Sequence, residues 1–154
     1  MFLTQGISGK VMSKAYTSLK KVKWVGKSQF IIHKRELLES MAWKSLNLNE
    51  RRLIDFLELC LLDTAGENNG DLIATYRQIE KYGGIDRHFI KNTINTLIEK
   101  GLLKVKISDT VGKYGKYTYC FCLTYLPSSF MENNKKVFLE PSNEWLRYNP
   151  ISYP

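Results

Sequence analysis

The sequence predicts an α+β fold, a helical core closed by a C-terminal β-hairpin, and three observations carry that prediction. Thr75 followed three residues later by Gln78 is a capping box, and the helix it opens meets a stop at Gly83-Gly84. After Asp86, a residue that can cap, the apolar positions Phe89, Ile90, Ile94, Leu97 and Ile98 fall on one face of a second helix. Lys100-Gly101 ends that helix, and two strand-like runs follow, 102–107 and 117–126, joined by a glycine-bearing basic loop.

The 154 residues suffice for one domain with a real core, and 44% apolar content supports a globular chain. Six of the eight net positive charges come from residues 1–27, which hold Lys10, Lys14, Lys20, Lys21, Lys23 and Lys27 and no acidic residue. This stretch lacks sustained periodicity and reads as a flexible basic arm, either following DNA phosphates or solubilising the chain. No apolar run reaches bilayer length and no secretory signal opens the chain, so a cytoplasmic protein is expected, without a membrane partner. Cys60, Cys120 and Cys122 are then most simply reduced thiols. Cys120 and Cys122 share a strand face, but neither a fourth sulfur nor a nearby histidine completes a zinc set, so no metal is expected.

The domain proper spans residues 28–126. Residues 29–33 read as extended and 34–39 as a helical turn, and Ser40 caps a short helix, 41–46, with Trp43 and Leu46 on one side. Asn47 with Glu50 forms a second capping box, opening the most amphipathic helix of the chain. Leu53, Ile54, Leu57, Leu61 and Leu62, with Phe56 and Cys60, give it a wide apolar stripe. Arg51 and Arg52 in its first turn oppose the helix dipole and are either a solvated pair or phosphate contacts. Residues 65–71 form a turn, since the ligand spacing and closing glutamate of a calcium loop are missing. A short apolar piece, 72–74, leads into the Thr75 helix, where Ile79 and Tyr82 pack inward and Tyr76 suits either side. Leu103, Val105 and Ile107 alternate with Lys104 and Lys106, one face core and the other basic. On the second strand, either Tyr119, Phe121, Leu123 and Tyr125 or Cys120 and Cys122 face inward, and the bulkier set is expected to. Residues 127–154 read as an aromatic tail. Glu144 to Tyr148 can make a helical turn, and Trp145 and Leu146 are expected to dock on the body or on a second subunit. A homodimer through Trp145, Leu146, Tyr148 and Tyr153 is expected on that ground.

Helix, tight turn, helix, hairpin is the order of a winged helix-turn-helix, and residues 71–126 resemble the winged modules of bacterial regulators such as the MarR and GntR families. The phrase that carries the likeness is Leu97-Ile98-Glu99-Lys100-Gly101-Leu102-Leu103. The longer run from Phe30 to Pro127 is similar to small winged-helix proteins encoded by phages and integrated elements of alphaproteobacteria, through LLESMAWKSLNLNERRLIDFLEL, ENNGDLIATY and LTYLP. Both resemblances imply DNA binding. Neither names the process.

Chemistry points the same way. His33 and His88 lie far apart and fit no metal-ligand spacing, and neither a phosphate loop nor a nucleophile elbow is present, so no catalytic residue, cofactor or small-molecule ligand is inferred. The face of the second helix away from its apolar stripe shows Arg87, His88, Lys91, Asn92 and Asn95, with Thr96 at its margin. Arg can grip guanine and Asn adenine through two hydrogen bonds, while Lys91 and the hydroxyl of Thr93 or Thr96 suit phosphate oxygens. Thr75, Arg77 and Lys81, with Gln78, are placed to meet phosphate from the preceding helix. At the hairpin tip, Lys113, Tyr114 and Lys116 suit the minor groove or its phosphates. The expectation is a regulator of transcription bound to double-stranded DNA, in a phage or mobile-element setting. Two alternatives stand beside it: a replication initiator or replisome-organising protein, for which the second winged domain of two-domain plasmid initiators is missing, and a module whose same helix meets protein.

Overall fold

The structure, a computed structural model, describes residues 29–111 and 117–150. The basic arm 1–27, the loop residues Lys113, Tyr114 and Lys116, and Tyr153 lie outside the described residues. The chain divides into two units, Met1–Phe30 and Ile31–Pro154, and every element below belongs to the second.

Helices come first: α1 (Arg35–Glu39), α2 (Met41–Lys44) and α3 (Leu48–Leu62). The hydroxyl of Ser40 accepts the Trp43 N–H at the head of α2, and Asn47 and Glu50 form the reciprocal capping box at the head of α3. These are the caps the spacing predicted. The stripe of α3, Leu53, Ile54, Phe56, Leu57 and Leu61, is buried and forms much of the core. Burying one such leucine is worth about 1.5–3 kcal/mol, so this stripe anchors the unit.

Next come β1 (Leu72–Ile73), α4 (Tyr76–Gly83) and α5 (Arg87–Glu99), then β2 (Leu103–Val111) and β3 (Tyr117–Leu123). The Thr75/Gln78 capping box opens α4, and Gly84 closes it at φ 70°, a left-handed conformation that glycine adopts without a Cβ clash. The Asp86 carboxylate accepts the His88 N–H at the head of α5. β1 and β2 both pair antiparallel with β3, in the order β1-β3-β2, with Leu72 opposite Phe121 and Leu103 opposite Leu123. The expected apolar piece 72–74 is thus a third strand of the hairpin's sheet.

Several inward assignments need correction. On α5 the buried positions are Ile90, Thr93, Ile94 and Leu97, whereas Phe89 is 56% and Ile98 42% exposed. Thr93 can enter the core because its hydroxyl donates to the Phe89 carbonyl at 2.7 Å, leaving no polar hydrogen unsatisfied. Tyr82, expected inward, is 65% exposed, with the Lys81 ammonium 5.1 Å from its ring centre. Phe121, Leu123 and Tyr125 are buried as the bulkier set, but Tyr119 is exposed while Cys120 is buried, because the covering of each sheet face changes along the strand. None of the three cysteines is in a disulfide, and burial pushes the Cys60 and Cys122 thiols up, holding both in the neutral form.

Within the expected tail, residues 128–150 are structured. β4 (Ser128–Glu132) and β5 (Lys135–Leu139) form a hairpin turned by Asn133 and Asn134, both at positive φ, and a 3₁₀ turn spans Glu144–Arg147. Trp145 docks on the body, buried in the chain's own core, the first of the two places expected for it and not the partner-facing one, while Leu146 is exposed. Asn69, expected in a plain turn, is fully buried and ties the segments together. Its amide nitrogen donates to the carbonyls of Leu123, Leu126 and Pro127, and its oxygen accepts the Leu123 N–H at 2.8 Å. Among the described residues no helix is long and apolar enough to cross a membrane.

Candidate nucleic-acid interface

The helix that the sequence singles out, α5, is held at both ends by contacts between residues far apart in the chain. At its C-terminal end the buried Lys100 ammonium lies 2.6 Å from the buried Glu50 carboxylate and donates to the Ser45 carbonyl at 2.8 Å. Glu50 also accepts the Asn47 N–H at 3.0 Å, so one carboxylate both caps α3 and clamps the end of α5. Gly101 follows at φ 72°, and a Cβ there would lie 2.6 Å from the Glu144 carbonyl, so only glycine fits against the 3₁₀ turn. Ahead of α5, the Arg52 guanidinium donates to the Gly84 carbonyl at 3.0 Å and braces the connection between α4 and α5. Arg51 stacks on the Trp43 ring at 4.4 Å. Neither arginine is a bare surface charge, and Arg52 has a positioning contact that the spacing did not reveal.

The outward side of α5 has the opposite character. Arg87, His88, Lys91, Asn92 and Asn95 are exposed and Thr96 is half-buried. At 100° per residue, His88, Asn92 and Asn95 share the centre of this face, with Arg87 and Lys91 to one side. Among the described residues, the side chains of Arg87, Lys91, Asn92 and Asn95 make no hydrogen bond or ion pair with other side chains or backbone. His88 is tied to Asp86 at 2.8 Å. The Asp86 carboxyl is held below its ordinary range, first by the His88 backbone N–H and then by the His88 ring. The Thr96 hydroxyl donates to the Asn92 carbonyl at 2.8 Å, so its hydrogen is committed to the helix.

On α4, Thr75, Arg77 and Lys81 are exposed. The Thr75 hydroxyl is occupied by the capping box, and Arg77 and Lys81 carry the charge there. The sheet's expected basic face is partly neutralised: Lys104 pairs with Glu144 at 2.6 Å and Lys106 with Asp71 at 2.8 Å.

Between α5 and the β2–β3 hairpin runs a mostly apolar cleft of about 190 Å³, lined by Tyr76, Ile94, Ile98, Val105, Tyr119 and Phe121, with Lys91 and Asn95 also on its wall. Ile107, expected on the core face with Leu103 and Val105, lies opposite Tyr119 at the far end of the sheet, beyond the core residues Leu103 and Phe121, and both are exposed.

Neither family models, curated proteins nor solved structures match this chain. The functional reading therefore rests on the side chains themselves. Away from α5, the structure gathers His33, Glu58 and Tyr125, which sequence distance had kept apart. Glu58 Oε1 accepts from the Tyr125 hydroxyl and meets His33 Nε2, each at 2.6 Å, with the Trp43 ring against both partners. Burial, reinforced by the Glu58 charge, pushes the Tyr125 phenol well above its ordinary value. This knot fastens residue 33 and the end of the sheet to α3. Among the described residues no three His, Cys, Asp or Glu side chains come together as a metal site.

Proposed function

We propose that this protein is a winged helix-turn-helix protein that binds double-stranded DNA in a sequence-specific manner, with α4 and α5 as the helix-turn-helix, α5 as the reading helix and the β2–β3 hairpin as the wing. The observation that carries this reading is the contrast across α5: a clamped, buried back and an outward face whose Arg87, Lys91, Asn92 and Asn95 have no internal partner among the described residues. The planar side chains of Arg87, Asn92 and Asn95 match base edges, and a fixed helix presents them without a backbone ordering cost at binding. Arg77 and Lys81 then hold phosphate, as do Lys113 and Lys116 with Tyr114 at the tip of the wing, and the basic arm adds affinity without base preference. Lys91, on the wall of the cleft, is a point charge suited to a phosphate oxygen.

Regulation of transcription is the process this reading favours, in the setting of a phage or mobile element, and origin binding in replication is the same chemistry at another site. Selection of bound fragments from genomic DNA tests the reading and separates these outcomes. Enrichment at promoters supports regulation, enrichment at an origin supports initiation, and no enrichment at any salt concentration removes sequence-specific binding. A protein-interaction module is the second reading, favoured by the exposed Phe89, Ile98, Ile107 and Tyr119 around the same helix and cleft. Salt separates the two, because DNA affinity falls steeply with added salt as phosphates are neutralised and counterions released.

A further inference from the structure

We propose that two copies of this chain associate through the outer edge of β5, the hairpins joining into one four-stranded antiparallel sheet across a two-fold axis. The β4–β5 hairpin is regular, five residue pairs without a bulge, and its turn residues Asn133 and Asn134 give the tight connection that keeps it so. Its two edges differ. The far side of β4 is covered by the loop before β1: the Ser129 N–H donates to the Asn69 carbonyl at 2.9 Å, and the Ser129 hydroxyl donates to the Glu67 carbonyl. The far side of β5 meets no strand among the described residues. A straight edge of this kind presents unpaired N–H and C=O groups to another strand. Phe138, 61% exposed, and the exposed Leu139 stand on it.

The sequence of the edge selects the occupant. A two-fold axis normal to a sheet pairs residues of the same parity, because it keeps each face on its own side. With Phe138 on the axis, Phe138 meets its copy, Val137 meets Leu139 of the partner subunit, and Lys136 meets Glu140 of the partner subunit, each of the latter twice. Apolar side chains thus oppose apolar ones and each lysine opposes a carboxylate, the arrangement that stabilises cross-strand pairs. Against an unrelated strand the same lysines would discourage pairing. In the single chain, Lys136 has a long contact to Glu67 at 3.4 Å and lies 5.8 Å from the centre of the Phe138 ring, and Glu140 makes no ion pair among the described residues, so both charges are at hand for the partner. This surface replaces the aromatic tail, whose Trp145 is turned into the core. It does not depend on DNA binding, so it fails or stands separately from that reading.

Sedimentation of the full chain over a concentration series reaching tens of micromolar tests the proposal. The wild type dimerises. Lys136→Glu and Glu140→Lys each place like charges opposite one another at two points, and each weakens self-association by roughly tenfold or more. An equimolar mixture of the two variants regains wild-type association, since each lysine then again faces a carboxylate. Recovery on mixing distinguishes a direct contact from damage to the fold, which mixing cannot repair. A wild type that stays monomeric throughout the series, single variants that dimerise as the wild type does, or a mixture no tighter than its components each overturns the proposal.

Discussion

The back and the front of α5 are built on opposite rules. At the back every polar group is matched: Lys100 to Glu50 and Ser45, the Thr93 hydroxyl to its own helix, and the preceding turn to Arg52. At the front, Arg87, Lys91, Asn92 and Asn95 are matched to nothing among the described residues. Under the proposed function, stability and recognition fall to separate side chains of one helix, so a substitution on either face should disturb one property and spare the other.

The largest break in this division is expected from Lys100→Ala. It strands the Glu50 carboxylate in the core, and removing one partner of a buried pair costs about 3–5 kcal/mol. Urea unfolding should lose stability on that scale, while protein that remains folded should keep its preference among duplexes. A loss below about 1 kcal/mol would mean that the pair is more hydrated than its burial implies.

A smaller loss is expected where the sheet meets the hairpin beyond it. Asn69→Ala removes the partners of a buried N–H and buried carbonyls at once, and about 2 kcal/mol or more should disappear from unfolding measurements. Asn69→Asp, which keeps the acceptor and removes the donor, should recover little.

The smallest effect concerns pH. Tyr125 keeps its proton in the folded chain well above the value of 10.0 at which the unfolded chain releases it. Its contribution to stability is therefore complete below about pH 10 and declines as pH rises toward the folded value. Tyr125→Phe should flatten the alkaline side of a stability profile, and an unchanged slope would place its origin in other groups.

The sequence made the front of α5 easier to read than its back. Caps announce themselves over three residues, which is why Ser40, Asn47, Thr75 and Asp86 all stand where expected. Glu50 was visible as a capping residue only, since nothing local says that it also meets a lysine fifty positions later. Asn69 is hidden for the same reason, its partners lying 54 to 58 residues away. Apolar spacing alone puts Phe89 and Ile98 inside, whereas the buried stripe is narrower and takes in Thr93, whose hydroxyl satisfies itself. The β4–β5 hairpin was concealed by composition. Prolines and asparagines around 127–150 suggested a tail, although Asn133-Asn134 between Phe130-Met131 and Val137-Phe138-Leu139 is a two-residue hairpin signal.

The front is tested most directly by titrating the wild type, Arg87→Ala and Asn92→Ala against the duplex obtained by selection and against a random duplex, at two salt concentrations. Each substitution removes a side chain able to make two hydrogen bonds to one base. Each should cost about 1–3 kcal/mol on the selected duplex, much less on the random one, and leave unfolding stability within about 0.5 kcal/mol of wild type. Equal losses on both duplexes, or no loss on either, would contradict the assignment of α5 as the reading helix.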